Sequence, residues 1–102
     1  MELGKVDAGT VQAAGVGDEI TLRLAENPST GFRWSEPEHD PAVLDYLGSE
    51  YESGGVRPGA AGTRTVRFRA AAPGRTRIRL CSVRPTVPDA PADSYEVAIE
   101  VT

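Results

Sequence analysis

The sequence has one cysteine, Cys81, among 102 residues. That excludes an internal disulfide and any cysteine-based zinc cluster, so stability must come from a packed core. Long apolar runs are missing too, and none reaches the roughly 20 residues of a membrane-spanning helix. Met1-Glu2-Leu3-Gly4-Lys5 lacks the basic start and apolar segment of a signal peptide. The expectation is a chain with no membrane partner, either cytoplasmic or a secreted or periplasmic form whose leader has been removed. Lysine is nearly absent: ten of the eleven basic residues are arginine, and alanine, glycine and proline are common. That composition points to a GC-rich, bacterial source. A formal net charge of −4 argues against nucleic acid as a partner, because nucleic-acid-binding domains are usually basic. No stretch carries the periodicity of a helix of ordinary length.

What is present fits one small domain spanning residues 1–102. An apolar fraction of 39% and a charged fraction of 25% are those of a soluble globular protein. A chain of this size buries roughly 60–70% of its unfolded surface and can hold its own core. Strand signals recur at short spacing, separated by glycine and proline. They run from Thr10 to Ala14, Glu19 to Leu24, Phe32 to Ser35, Glu50 to Glu52, Thr63 to Ala70, Thr76 to Val83 and Ser94 to Val101. Val43 to Leu47 reads equally well as a helical turn or a short strand. About seven strands in about a hundred residues, without repeats, predict an all-β, immunoglobulin-like antiparallel sandwich. Ile20, Leu22 and Leu24 share one face, as do Val66 with Phe68, Ile78 with Leu80, and Tyr95, Val97, Ile99 and Val101. Trp34, the only tryptophan, is expected at the centre of the core.

The opposite faces are charged. Arg67, Arg69, Arg77 and Arg79 alternate with the apolar positions, and Glu96 and Glu100 point the same way on the last strand. Opposite charges facing across strands stabilise by roughly 0.2–1 kcal/mol per pair. In an acidic protein this stripe reads as a salt-paired, solvated face rather than a polyanion site.

Asn27-Pro28-Ser29-Thr30-Gly31-Phe32 sits between two strand runs. Proline fixes φ and biases the residue before it away from helix, and Gly31 permits a positive φ. Ser29 and Thr30 are therefore expected at a loop tip with hydroxyls able to donate and accept. Taken alone, this is what any exposed connection looks like. Two further loops, Gly59-Ala60-Ala61-Gly62 and Arg84-Pro85-Thr86, are also built from small residues and proline. Alternate loops of a sandwich gather at one end.

In this order and spacing the segments resemble the chagasin-like inhibitors of cysteine peptidases. That family is marked by an Asn-Pro-Thr-Thr-Gly-Tyr/Phe loop, a Gly-x-x-Gly loop and an Arg-Pro-Trp loop. The likeness runs from Gly9 to Val101 and includes a tryptophan two residues after Phe32. It implies a monomeric immunoglobulin-like sandwich, without cofactor or metal, that inhibits papain-like cysteine peptidases tightly and reversibly. It also implies that Ser29 and Thr30, with Asn27, Pro28, Gly31 and Phe32, enter the peptidase cleft. Gly59, Ala60, Ala61 and Gly62 would clamp one side and Arg84, Pro85 and Thr86 the other. The chain departs from the pattern twice. Ser29 replaces threonine and keeps the hydroxyl. Thr86 replaces an aromatic, and losing a hot-spot aromatic costs roughly 2–4 kcal/mol, or about 30- to 1000-fold in affinity. Val87 is expected to supply part of that apolar contact.

Other chemistries fit poorly. Ser29, His39 and Asp40 are the residue types of a hydrolase triad, but His39 lies between prolines in the acidic loop Glu36 to Asp40. A triad base needs an orienting partner and a rigid seat, so His39 reads as a solvated surface residue. The loop's carboxylates match no EF-hand spacing. Cys81 falls mid-strand, Gly15-Val16-Gly17 precedes a strand rather than a helix, and Gly59 to Gly62 lacks a following Lys-Ser/Thr. The competing reading is an immunoglobulin-like binding or adhesion module with no effect on peptidases.

Overall fold

The computed structural model describes residues 1–27, 30–54, 62–84, 86 and 91–102. Its strands are β1 (Glu2–Leu3), β2 (Val11–Ala14), β3 (Glu19–Glu26), β4 (Arg33–Trp34), β5 (Leu44–Glu52), β6 (Gly62–Ala70), β7 (Gly74–Val83) and β8 (Asp93–Val101). They form two four-stranded sheets, ordered β1-β3-β6-β5 and β2-β8-β7-β4. Most pairs are antiparallel, but β1 runs parallel to β3 and β2 parallel to β8. Lys5–Asp7, between β1 and β2, forms a single 3-10 turn. Among the described residues no helix is long and apolar enough to cross a membrane.

The alternation in β3 explains why the sheets face each other. Ile20, Leu22 and Leu24 lie opposite Phe68, Val66 and Arg64 of β6, so the apolar residues of both strands point inward. Ile78 and Leu80 of β7 and Tyr95, Val97 and Ile99 of β8 meet them from the other sheet, all at most 1% exposed. Outside, Arg67 pairs with Glu50 and Arg77 with Glu96, both at 3.5 Å. Such exposed pairs contribute about 0–1 kcal/mol each.

The expected all-β sandwich is borne out, with an eighth strand, Glu2–Leu3, beside β3 that is too brief to show periodicity. Three expectations are corrected. Val43 to Leu47 and Glu50 to Glu52 are not separate elements. Leu44 to Glu52 is one strand, with a bulge between Tyr46 and Gly48 at which Gly48 has φ +128°. Trp34 is not the core's centre: it is half-buried and packs against the core's margin, while Phe68 and Tyr95 are the large rings inside. His39 is not a freely solvated residue. It is half-buried and meets Phe68 edge-on at 5.2 Å, because Glu38 bridges to Arg79 and lays the acidic loop along the sheet.

Candidate functional site

The strand registers bring three connections together. Glu26, the last residue of β3, pairs with Gly62, the first of β6. Thr63 pairs with Glu52, the last of β5. In the other sheet Val83, ending β7, pairs with Arg33, beginning β4, and Ser82 pairs with Asp93, beginning β8. Segment 27–32 joins Glu26 to Arg33 and so links the two sheets. The connections 27–32, 53–61 and 84–92 therefore leave the same end of the sandwich.

In the first loop, the Thr30 amide and hydroxyl both donate to the Asn27 carbonyl, at 3.2 and 2.8 Å. The same hydroxyl accepts from the Phe32 amide at 3.3 Å. Thr30 is exposed, but its hydroxyl is committed to shaping the turn rather than held free at a tip. Gly31 supplies the φ of +80° that closes the turn. Asn27 and Phe32 are half-buried, and Pro28 and Ser29 lie outside the described residues.

The third loop meets the first. The Arg84 guanidinium lies 4.6 Å from the centre of the Phe32 ring. An Arg⁺ over an aromatic face stabilises by roughly 0.5–1 kcal/mol at an exposed site. A side chain at Gly31 would touch Arg84 at 3.8 Å, an ordinary contact. Thr86 is exposed, while Pro85 and Val87 fall outside the described residues.

Of the second loop, Gly59, Ala60 and Ala61 lie outside the described residues, and Gly62 is buried at the head of β6. A Cβ at Gly62 would overlap the Glu52 carbonyl oxygen and stand 2.6 Å from Tyr51 Cζ. Glycine is needed there because β5 and β6 approach so closely, whatever the loop binds.

Beneath the loops lies a polar cluster that sequence reasoning missed. The Glu26 side chain is 3% exposed and accepts from Arg64 Nη2 at 2.8 Å. It also accepts from the Trp34 amide at 2.8 Å. Trp34 Nε1 donates to the Ala25 carbonyl at 2.8 Å, and Arg64 stacks 5.6 Å from the Tyr51 ring centre. Removing one partner of such a buried pair costs about 3–5 kcal/mol, because it strands the other charge. On the far side Lys5 pairs with Asp93 and lies 5.5 Å from the Trp34 ring centre. That ammonium, helped by the Ser94 amide, holds the Asp93 carboxyl below its ordinary value. Extending the inward alternation Ile20, Leu22, Leu24 by one step gives Glu26, and extending Phe68, Val66 backward gives Arg64. A carboxylate and a guanidinium at inward positions of one end were the signal. Among the described residues no three His, Cys, Asp or Glu side chains gather as a metal site would require.

A sequence model described as chagasin family peptidase inhibitor I42 matches residues 13–101. The chain belongs to the chagasin family. That is a family of cysteine-peptidase inhibitors, not of enzymes. Solved structures share the fold. The cysteine protease inhibitor EhICP2 of Entamoeba histolytica superposes with a TM-score of 0.85 at 20% identity, over 99% of this chain and 93% of that one. Amebosin gives 0.70 at 20% identity, over 99% and 96% of the chains. PbICP-C, determined in complex with falcipain-2, gives 0.64 at 17% identity, over 99% and 98%. No curated protein sequence matches significantly.

Proposed function

We propose that this chagasin-family chain inhibits papain-like cysteine peptidases by seating its three-loop end in the active-site cleft. The reading rests on the convergence of the loops that carry the family-like motifs, above all the stacking of Arg84 on Phe32 across two of them. The segment 27–32 fills the cleft, Gly59 to Gly62 lies along one wall, and Arg84, Pro85 and Thr86 lie along the other. A loop held by its own hydrogen bonds loses little entropy on binding. It fills the cleft without presenting a peptide carbonyl for attack, so the inhibitor stays intact. The complex between PbICP-C and falcipain-2 supports a peptidase as the partner. The chain acts as a single-domain monomer, without cofactor, and its arginine-rich composition favours a bacterial source.

The test is titration of papain and a cathepsin-L-like enzyme with the purified chain and with Thr30→Arg, followed by a check for cleavage. Saturable, reversible inhibition by an intact chain, lost in the variant, is the expected result. A folded chain that leaves both enzymes untouched at micromolar concentration, yet binds another protein through a sheet face, would favour the adhesion-module reading.

A further inference from the structure

Trp34 is gripped from two sides by charge. Its amide donates to Glu26, which ends the strand leading into the first loop, and Glu26 is paired with Arg64, just inside the strand that follows the second loop. Its ring lies under Lys5, which is paired with Asp93, the first residue of the strand after the third loop. Its indole N–H is fixed on Ala25 in β3. Each loop thus has an anchor within two residues of its described end: Glu26 reaches Trp34 directly, Arg64 through Glu26, and Asp93 through Lys5.

Stability alone does not account for this arrangement. A well-packed apolar pair in place of a buried ion pair is often neutral or stabilising. The Lys5–Asp93 pair is about half-exposed, a setting in which ion pairs contribute little to folding. Both pairs are directional, however, and fix where a strand end sits. We propose that Trp34, held between the Glu26–Arg64 and Lys5–Asp93 pairs, is the positioning hub that sets the spacing of the three loops for peptidase inhibition. Both pairs lie beside the loops rather than within them. They act through the loops, and the inference rests on the inhibitory reading above.

The test measures the melting midpoint and the papain inhibition constant of each variant. Glu26→Leu combined with Arg64→Met replaces the buried pair by apolar groups of similar volume. It is expected to melt about 4–8 °C below the wild type, because the Trp34 amide loses its acceptor, while its inhibition constant rises about tenfold or more. Lys5→Met is expected to leave the midpoint unchanged and to weaken inhibition by a factor of about three to ten, with Lys5→Arg restoring it. The Lys5 variants decide the matter if the double variant does not fold. Folded variants that inhibit as tightly as the wild type overturn the inference, as does a loss of inhibition that follows the loss of stability in step. A wild-type chain that does not inhibit at all overturns the inhibitory reading and this inference together.

Discussion

Replacing Gly62 by alanine isolates the second loop's anchor. The new methyl would fall inside contact distance of the Glu52 carbonyl, of Tyr51 Oη and of Tyr51 Cζ. The Tyr51 ring can swing away, although this gives up its stacking with Arg64. The Glu52 carbonyl cannot, because it belongs to the neighbouring strand, so β5 and β6 must part at the mouth of the second loop. Overpacking of this kind costs about 1–3 kcal/mol. For a domain of this length a cost of about 2 kcal/mol lowers the melting midpoint by roughly 8–16 °C. Gly31→Ala is the control: it makes only ordinary contacts with Arg84, at 3.8 and 3.9 Å, and its cost is that of an L residue at positive φ, about 1–2 kcal/mol. The assay is thermal unfolding with inhibition measured on the same samples. Gly62→Ala should show the larger loss of stability and weakened inhibition. An unchanged midpoint for Gly62→Ala would refute the argument that close packing of β5 on β6 demands the glycine.

Three other outcomes are expected. Thr30→Val removes the donor to Asn27 and the acceptor for Phe32, so inhibition titrations should weaken about tenfold, whereas Thr30→Ser keeps both bonds and inhibits like the wild type. Thr86→Trp restores the family-like aromatic on the third loop and should tighten inhibition by roughly 30- to 1000-fold; an unaltered inhibition constant would show that the loop does not reach the peptidase wall. The Tyr95 phenol is pushed up to about 12, chiefly by burial and secondly by the Asp7 carboxylate. In the unfolded chain it ionises near about 10, so the unfolded state loses its proton first. Stability should therefore be intact below pH about 10 and fall as the pH rises toward about 12, as chemical denaturation across that range would record. Tyr95→Phe should abolish that fall while losing the bond to the Gly4 carbonyl, at about 1 kcal/mol near neutral pH.

The long strands were legible because their alternation is strict. Ile20, Leu22 and Leu24, and Tyr95, Val97, Ile99 and Val101, occupy the buried face that their spacing assigns. β5 was not, because Gly48 at its bulge breaks the two-residue period and makes one strand look like two fragments. Glu2–Leu3 is too short to carry a period at all. The first loop was legible as a turn from Pro28 and Gly31, but the engagement of the Thr30 hydroxyl depends on how the backbone brings Asn27 and Phe32 around it, which no spacing reveals. Trp34 misled because a lone tryptophan is usually read as core. Here its strand is two residues long at a sheet edge, so the indole covers the core's margin and reaches Lys5 instead. Glu26 and Arg64 were hidden because an inward charge is read as the end of a strand rather than as part of its buried face.

The most direct test of the account is amide NMR mapping of the isotope-labelled chain against papain whose catalytic cysteine has been blocked by a small methylthio group. The account predicts that the large shifts fall on Thr30, Gly31, Phe32, Gly62, Arg84 and Thr86, while the outer sheet face around Arg77 and Glu96 stays silent. Binding that moves the sheet face and leaves those loop amides unchanged would contradict the three-loop mechanism.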